Sequence, residues 1–352
     1  MNYLNMNTII QPKKIAFCTT CMNRLHHLQQ TLEKNIQDNY LVNDVEFVLL
    51  DYNSQDGLDQ WVRQKMQQYI DTGMLAYYKT FEPGHYLRSH SRNMAFRLAN
   101  AGILCNLDAD NFLGKGFASF IVEEFTKYDN IFYTNNYSLN DTYGRVCVRN
   151  SDFMSIRGYN EALKGYGYED NDFQNRLIRH GLKPMSFHNP EFYRFVLHSD
   201  EDRISEEYRT KNIHKMYITY INPYTSGILL LYKDHTTELC TLVDNSQLNV
   251  FEIPNNDNLF PDAGRRVVLQ EDVLKGTWKE DNDATCFQEN GQTFYKVEDQ
   301  ELRAKLIVLL TSAINYHEAC KQIKEQSVIN PEGFGKGSVF KNFDLTKKII
   351  LS

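Results

Sequence analysis

The sequence lacks any long apolar run and any concentration of basic residues. No stretch approaches the roughly 20 consecutive apolar residues that cross a bilayer, so we expect no transmembrane segment. The formal charge of the 352 residues is −7, and no arm or helix gathers Lys and Arg. Because a nucleic-acid-binding surface needs such a gathering, nucleic acid is not expected as a partner.

Neither a leader peptide nor a disulfide framework is expected from this sequence. Residues 1–11 have neither the basic start nor the apolar stretch of a signal peptide. The seven cysteines are odd in number and irregularly spaced, which is atypical of a disulfide scaffold. Cys18 and Cys21 have no second pair nearby, so we interpret them as buried thiols rather than as a zinc or redox site. We therefore expect a cytoplasmic protein, with peripheral membrane association left open.

The first part of the chain alternates short apolar runs with amphipathic segments. The runs are residues 14–20, 45–50, 75–78 and 103–107, and the helical patterns are residues 25–36, 58–70 and 92–101. Such alternation predicts a doubly wound, mostly parallel α/β sheet. The pattern changes near residue 223, so we divide the chain into an α/β catalytic domain, residues 1–222, and a smaller α+β extension, residues 223–352.

The extension shows no motif that carries chemistry. Residues 227–231 and 238–243 predict a hairpin, residues 301–325 predict one long helix, and the Gly-rich residues 330–341 predict an irregular tail. The extension could bind an acceptor, mediate oligomerisation or brace the sheet, and the sequence leaves these roles open.

Asp108-Ala109-Asp110 directly follows the apolar run at residues 103–107. In a strand, residues i and i+2 face the same side, so both carboxylates could face one ligand. Ligands bind at the carboxyl ends of strands in α/β sheets, and paired carboxylates suit Mg²⁺ or Mn²⁺. An isolated Asp-x-Asp is more often a solvated turn, so its weight depends on the neighbouring motifs.

Polar clusters follow the other predicted strands as well. They are Thr19-Thr20-Cys21-Met22-Asn23-Arg24, then Asp51 with Asn53 and Ser54, then Arg88 and Arg92, and finally Gly-Tyr-Gly-Tyr-Glu-Asp-Asn-Asp at residues 165–172 with Val-Leu-His-Ser at residues 196–199. An acidic helix start is the simplest interpretation of the octet taken alone. Each cluster lies at or next to the end of a predicted strand, where ligands bind in α/β sheets, so a common site is a second hypothesis.

These motifs resemble those of the glycosyltransferases with the GT-A fold. The octet is similar to Gly-Trp-Gly-Gly-Glu-Asp-Asp-Asp of the β-1,4-galactosyltransferases and related N-acetylgalactosaminyltransferases. Residues 23–28 match that family's Asn-Arg-x-x-His-Leu, and residues 197–199 resemble its Arg-His-Ser. The N-terminal half resembles the nucleotide-sugar domain of family 2 glycosyltransferases.

The resemblance implies a divalent metal held by protein side chains. Asp110 would bind the metal, His198 would be the third protein ligand, and Asp108 would contact the metal or the sugar and ribose. An imidazole ligand favours Mn²⁺, with Mg²⁺ as the alternative. Without the surrounding match, His198 would be interpreted as a half-buried strand histidine.

The resemblance also implies a nucleotide site for a UDP-sugar. Asp51 would accept a hydrogen bond from the uracil N–H, and Thr20 and Arg24 would hold the base and diphosphate. Arg88 and Arg92 are candidate phosphate or ribose contacts, or else exposed helix charges.

For the reaction itself, the resemblance implies Asp170 as the general base. A predicted helix over residues 170–180 would place Asp170 at a helix N-terminus, whose dipole favours the ionised carboxylate. Glu169 would hydrogen-bond sugar hydroxyls, and Tyr166 stands where the family has Trp and could present an aromatic face. Related retaining enzymes carry Asn at the position of Asp170, so the carboxylate implies inversion. Tyr168 and Asn171 depart from the family octet.

We therefore expect a metal-dependent, inverting transferase that moves a hexose or N-acetylhexosamine from a UDP-sugar to a saccharide or glycolipid acceptor. Galactose and N-acetylgalactosamine are favoured, in the synthesis of a bacterial surface polysaccharide. One alternative is a nucleotidyltransferase, which usually needs a Gly-rich, Lys-bearing loop that residues 19–24 do not provide. Another is a glycan-binding module without turnover, against which Asp108, Asp110 and Asp170 argue.

Overall fold

A computed structural model of the chain describes residues 13–40, 44–135, 142–222, 225–244, 265–270, 278–282, 285–288 and 293–352. The first part contains β1 (Lys13–Cys21), α1 (Leu25–Asp38), β2 (Val45–Tyr52), α2 (Leu58–Lys65), α3 (Gln67–Asp71), β3 (Leu75–Thr80), α4 (Arg88–Leu98), β4 (Ala101–Asn106), α5 (Phe117–Lys127), β5 (Ile131–Thr134), β6 (Cys147–Arg149), α6 (Asn150–Ser155), α7 (Glu169–Arg179) and β7 (Lys183–Ser186). The second part contains α8 (Asp200–Ile204), α9 (Tyr208–Asn212), β8 (Ile213–Asn222), β9 (Thr225–Tyr232), β10 (Thr237–Asp244), β11 (Arg265–Gln270), β12 (Trp278–Asn282), β13 (Thr285–Gln288), β14 (Thr293–Lys296), α10 (Gln300–Lys324), β15 (Gly337–Lys341) and β16 (Lys348–Leu351).

The first sheet has the strand order β16-β15-β3-β2-β1-β4-β6-β5-β7. Its centre, β3-β2-β1-β4, is parallel, whereas β6 and β15 run antiparallel to their neighbours. The four predicted strands form this parallel centre, which confirms the α/β fold class. Their apolar runs are continuous because both faces of the strands are covered.

Alternate residues of β1 enter two different cores. Ile15 and Phe17 pack with residues of α1, α2 and α5 on one face. Ala16 and Cys18 pack with residues of α4 and α7 on the other face. Helices on both sides therefore leave the carboxyl ends of the strands as the open edge where a ligand can reach them. Cys18 and Cys21 are buried and unbridged, as expected.

A second sheet follows in the order β11-β10-β9-β8-β14-β13-β12. The predicted hairpin is confirmed, since β9 and β10 pair antiparallel with Leu229 opposite Leu239. The predicted long helix is α10, whose buried Leu306 and Leu310 pack against Met216 and Ile228 of this sheet.

The predicted irregular tail is wrong in its last residues. Residues 337–341 form β15, which pairs with β3 and, through a hairpin, with β16. Val339 is fully buried in the core that contains Ala16 and Cys18. The reason is that β3 would otherwise expose unpaired backbone groups at the sheet edge, which β15 covers. Residues near the C-terminus thus lie in the first sheet, although the expected boundary assigned them to the extension.

In the part of the chain that the structure describes, none of the helices has the length and apolarity required to span a membrane.

Candidate active site

A cavity of about 540 Å³ lies at the carboxyl ends of β1 and β4. The start of α7, the first turns of α4 and the loop before α8 enclose it. Ten of the predicted site residues line it, namely Thr20, Arg24, Arg88, Arg92, Asp108, Asp110, Tyr166, Glu169, Asp170 and His198. The structure therefore brings together motifs that are up to 178 residues apart, as Thr20 and His198 show.

Asp51 is the predicted site residue that the structure does not bring to this cavity. Its side chain is fully buried, and its oxygens accept from the Tyr77 hydroxyl at 2.7 Å and the Ser54 amide at 2.7 Å. Lys79 Nζ lies 3.3 Å from Asp51 Oδ2. Burial raises the pKa of Asp51, and these contacts oppose that effect. Asp51 thus lies within β2, which continues to Tyr52, and its carboxylate is enclosed by internal partners. The expected contact with uracil stays a prediction.

Asp108 and Asp110 have different partners. Asp110 Oδ2 lies 2.7 Å from His198 Nε2. Asp108 Oδ1 instead accepts from Arg92 Nη2 at 3.2 Å and from Asn106 Nδ2 at 3.0 Å. Because β4 ends at Asn106, strand alternation does not extend to the two aspartates. Both line the cavity, and their contact with one ligand stays a prediction.

The pair formed by Asp110 and His198 has the chemistry of a divalent-metal site. The hydrogen bond from Asp110 raises the pKa of His198. Burial raises the pKa of Asp110, but the hydrogen bond and charge of His198 lower it below its usual value. A carboxylate and an imidazole whose ligand atoms converge fit Mn²⁺. His198 lies in a loop rather than in the half-buried strand of the alternative interpretation.

The three predicted metal ligands are not gathered closely. Among the described residues, His26, His27 and Asp202 form a group in which one potential ligand atom of each residue lies within 4.8 Å of the others. Asp108, Asp110 and His198 do not form such a group. In the group that does form, Asp202 Oδ2 already accepts a hydrogen bond from Arg24 Nη1 at 3.0 Å. Burial, followed by His26 and Arg24, lowers the pKa of His27 to about 4, so His27 is neutral at pH 7.

Arg92 joins three carboxylates. Its Nη1 donates to Asp170 Oδ1 at 2.7 Å and to Glu169 Oε1 at 3.4 Å, and its Nη2 donates to Asp108. Arg88, one turn earlier on α4, donates to Glu207 Oε1 at 2.9 Å. Arg92 is 3% exposed, and the Arg88 side chain is 14% exposed. Neither is an exposed helix charge, because α4 begins at Arg88 and turns both residues toward the cavity.

Asp170 and Glu169 begin α7, one residue earlier than predicted for the helix. Burial raises the pKa of Asp170 to about 7; Arg92 lowers it, whereas Glu169 and Asp108 raise it further. The expected effect of the helix dipole is therefore outweighed by burial. Glu169 Oε2 is buried and has no hydrogen-bond partner among the described residues, so a substrate hydroxyl would satisfy it.

Sequence reasoning missed Gly144, which lies against the carboxylates. A Cβ at this position would be 2.9 Å from Asp108 Oδ2, 3.1 Å from Arg92 Nη2 and 3.1 Å from Asp170 Oδ2. Any side chain would displace these groups, so the site needs glycine here. The loop that carries Gly144 has no motif that could have indicated this.

Tyr86 and Glu207 were also missed. The Tyr86 hydroxyl lies 2.5 Å from Thr20 Oγ1. Thr20 therefore lines the cavity together with Tyr86. Glu207 Oε2 accepts from the backbone N–H of Tyr166 at 2.9 Å. The Arg88 guanidinium lies 4.7 Å from the centre of the Tyr166 ring. The expected role of this ring as an aromatic face for the sugar stays a prediction.

Helix α10 braces the loop that carries the octet. Gly167 has φ +97°, and a Cβ there would lie 2.7 Å from Ser312 Cβ. Asn315 donates to the Gly167 carbonyl at 2.8 Å and accepts from the Lys164 amide at 3.0 Å. Tyr168, which replaces a family glycine, packs edge-on against Tyr316 with ring centroids 5.1 Å apart. A helix of the predicted extension thus forms part of the cavity wall.

Residues 125–199 match the family model described as the N-terminal domain of galactosyltransferase. This segment contains the octet and His198. Comparison with curated proteins gives no match. The match confirms the resemblance to glycosyltransferases and the expectation of an enzyme.

Two solved structures are similar to parts of this chain. The mannosyltransferase PcManGT from Pyrobaculum calidifontis, in complex with GDP-Man and Mn²⁺, is 15% identical with a TM-score of 0.42, over 51% of this chain and 55% of that one. TarS 1-349 from S. aureus is 13% identical with a TM-score of 0.45, over 56% of this chain and 63% of that one. This chain spans less than two thirds of either structure, so neither protein's substrates are extended to it.

Proposed function

We propose that this protein is a metal-dependent, inverting glycosyltransferase that moves a hexose or N-acetylhexosamine from a UDP-sugar to a saccharide or glycolipid hydroxyl. The observation that carries the proposal is the meeting of Asp110, His198 and Asp170 around one cavity. Galactose and N-acetylgalactosamine are the favoured donor sugars because of the octet. The favoured setting is cytoplasmic synthesis of a bacterial surface polysaccharide, with or without peripheral membrane association.

Asp110 and His198 would hold the metal, with Mn²⁺ preferred over Mg²⁺ because of the imidazole. A divalent ion there would stabilise the charge on the departing diphosphate as a Lewis acid. Arg92 and Arg24 place guanidinium groups along the same wall, each paired with carboxylates in this structure. Asp108 is close to this wall, but its carboxylate is held by Arg92, so its role is to position Arg92 or to join the metal after Arg92 moves.

Asp170 would take the proton from the attacking acceptor hydroxyl. Its carboxylate lies at the cavity and is oriented by Arg92 at 2.7 Å. Glu169 would accept a hydrogen bond from a sugar hydroxyl through its unpartnered Oε2. A base that activates the acceptor for direct attack on the anomeric carbon gives inversion, by the same logic as in inverting glycosidases.

UDP release from a panel of UDP-sugars tests the proposal. We expect slow hydrolysis of one UDP-sugar, abolished by EDTA, restored by Mn²⁺ and absent in Asp110→Asn. Asp129→Asn is the matched control, since the Asp129 side chain is 97% exposed. Pyrophosphate release instead of UDP would indicate a nucleotidyltransferase. Binding of a glycan, with neither UDP release nor binding of a UDP-sugar, would indicate a glycan-binding module. Either this result or pyrophosphate release would overturn the proposal.

A further inference from the structure

A second cavity of about 340 Å³ adjoins the active-site cavity. Its lining consists of His85, Tyr86, Leu87, Lys164, Gly165, Glu207, Tyr208, Arg209 and Thr311. The two cavities share Tyr86 and Glu207 as a common wall. The octet loop also borders both, because Gly165 lines the second cavity and Asp170 lines the first. A molecule in the second cavity would therefore lie close to the acceptor side of the reaction.

The charges around the second cavity leave one positive group uncompensated. Glu207 uses both carboxylate oxygens internally, accepting from Arg88 Nε at 2.9 Å and from the Tyr166 amide at 2.9 Å. Arg209 is paired with Glu238 at 3.3 Å. Lys164 is exposed, and its ammonium group has no ion pair with any of the described residues. The lining thus presents a free cation and no free carboxylate.

Aromatic rings lie beside this cation. His85 and Tyr208 pack edge-on with ring centroids 5.2 Å apart, and Tyr208 is 48% exposed. Exposed aromatic faces accept the apolar face of a sugar ring. Burial lowers the pKa of His85, and Lys164 and Lys211 lower it further, which is consistent with a positive potential in this cavity.

We propose that the second cavity binds a negatively charged sugar unit of the acceptor glycan. Lys164 would contact its carboxylate or phosphate group, and Tyr208 and His85 would contact its ring. The inference rests on the proposed transfer reaction and adds to it the class of acceptor. An anionic sugar gains a charge-assisted hydrogen bond to Lys164 that a neutral sugar lacks, so the charge of this cavity favours the anionic acceptor.

Acceptor kinetics test this inference. The probes are three matched saccharides that end in a hexuronate, a hexose phosphate or a neutral hexose, with the UDP-sugar donor held constant. We expect kcat/KM to be about tenfold higher for at least one anionic acceptor, as one charge-assisted hydrogen bond provides. Comparison of the hexuronate with the phosphate identifies which anion is recognised. Equal kcat/KM for all three saccharides would overturn the inference.

Variants of Lys164 separate recognition from a loss of structure. Lys164→Gln should lower kcat/KM about tenfold for the anionic acceptor, through KM, and leave the neutral acceptor unchanged. Lys164→Arg should keep the preference, and Lys183→Gln, which removes an exposed charge on β7, should match the wild type. An equal loss for both acceptors in Lys164→Gln would overturn the inference.

A binding measurement distinguishes this inference from the proposed function. Ligand-observed NMR with a free hexuronate, a hexose phosphate and a neutral hexose needs no turnover. Binding of an anionic sugar that disappears in Lys164→Gln would support the inference even if no UDP-sugar were hydrolysed. Hydrolysis of a UDP-sugar without any anionic-sugar binding or preference would keep the proposed function and overturn the inference.

Discussion

At the scale of single residues, the Arg92 guanidinium accounts for the close approach of three carboxylates around one cavity. Like charges at short range destabilise one another, and a buried charge without a partner costs several kcal/mol. Arg92 is itself buried and contacts Asp108, Glu169 and Asp170. The carboxylate cluster and the arginine are therefore each stable only in the presence of the other.

The proposed base can be tested by Asp170→Asn. Asparagine keeps the size of the side chain and a hydrogen bond to Arg92, but it cannot accept the acceptor's proton. We expect transfer to fall by about 10²–10⁴-fold, while the affinity for UDP with Mn²⁺ stays unchanged in calorimetry. Asp129→Asn removes a surface carboxylate and serves as the control. Normal turnover by Asp170→Asn would remove Asp170 from the mechanism.

The raised pKa of Asp170 predicts a pH dependence. With a pKa of about 7, the carboxyl is protonated and inactive as a base below this value. Log kcat/KM for the acceptor should therefore rise with a slope of one up to about pH 7 and level off above it.

The measurement is an initial-rate profile together with UDP affinity at each pH. UDP affinity that follows the same curve would assign the titration to the nucleotide site instead. A profile that is flat between about pH 5 and about pH 9 would contradict a raised pKa at the base.

The sequence predicted the residue types of the site better than their partners. The octet, Asp110 and His198 lie in short motifs that resemble those of glycosyltransferases, so the resemblance suggested that they meet. The burial of Asp51 could not be predicted, because β2 continues two residues beyond the apolar run at residues 45–50. The pKa of Asp170 could not be predicted either, since it depends on burial among groups that are distant in sequence.

At the scale of elements, α10 and the octet loop form one unit. Gly167 has a positive φ and approaches Ser312 closely, so Gly167→Ala adds both backbone strain and a clash. Gly73→Ala is the matched control, because Gly73 has φ +72° and open space around its Cβ position. Gly73→Ala should lower the free energy of unfolding by about 1–2 kcal/mol. Gly167→Ala should lower the free energy of unfolding by this amount and by about 1–3 kcal/mol more.

Urea unfolding and UDP release together measure this difference. Gly167→Ala should also lose transfer, since α7 and its Asp170 follow the displaced loop, whereas Gly73→Ala should retain it. Equal unfolding midpoints for the two variants would show that α10 does not constrain the loop.

The elements themselves were largely readable from periodicity, and their ends were not. The parallel strands and the long helix follow from apolar runs and a 3.6-residue pattern that are local in the sequence. The early start of α4 at Arg88 has no capping side chain to signal it. That shift of four residues decides whether Arg88 is a helix residue directed at the cavity or part of the preceding loop.

At the scale of the whole molecule, the chain returns to its first sheet after completing the second. The Tyr77 amide donates to Asn342 Oδ1 at 3.0 Å across 265 residues of sequence, and the Phe343 ring stacks on Tyr77 at 4.7 Å. Tyr77 in turn donates to Asp51. Such a pairing joins distant segments, so no local pattern in a Gly-rich tail indicates it.

This return predicts that the C-terminal strands stabilise the first domain. Val339 on β15 is fully buried, so Val339→Ala removes two methyl groups from the core shared with β1 and β4. The expected loss in the free energy of unfolding is about 2–3 kcal/mol, from lost burial and the cavity that remains. Val328→Ala is the control, since Val328 is 64% exposed and should change stability by less than about 0.5 kcal/mol.

The decisive measurement is denaturant unfolding followed both by far-UV circular dichroism and by UDP binding. If β15 belongs to the first domain, Val339→Ala should shift the loss of UDP binding to lower denaturant, because that domain carries the proposed nucleotide cavity. Suppose instead that residues 223–352 form an independent extension, as the sequence pattern alone suggests. The denaturant concentration at which half of the UDP binding is lost would then be the same for Val339→Ala and Val328→Ala. In that case, the pairing of β15 with β3 would not stabilise the first domain.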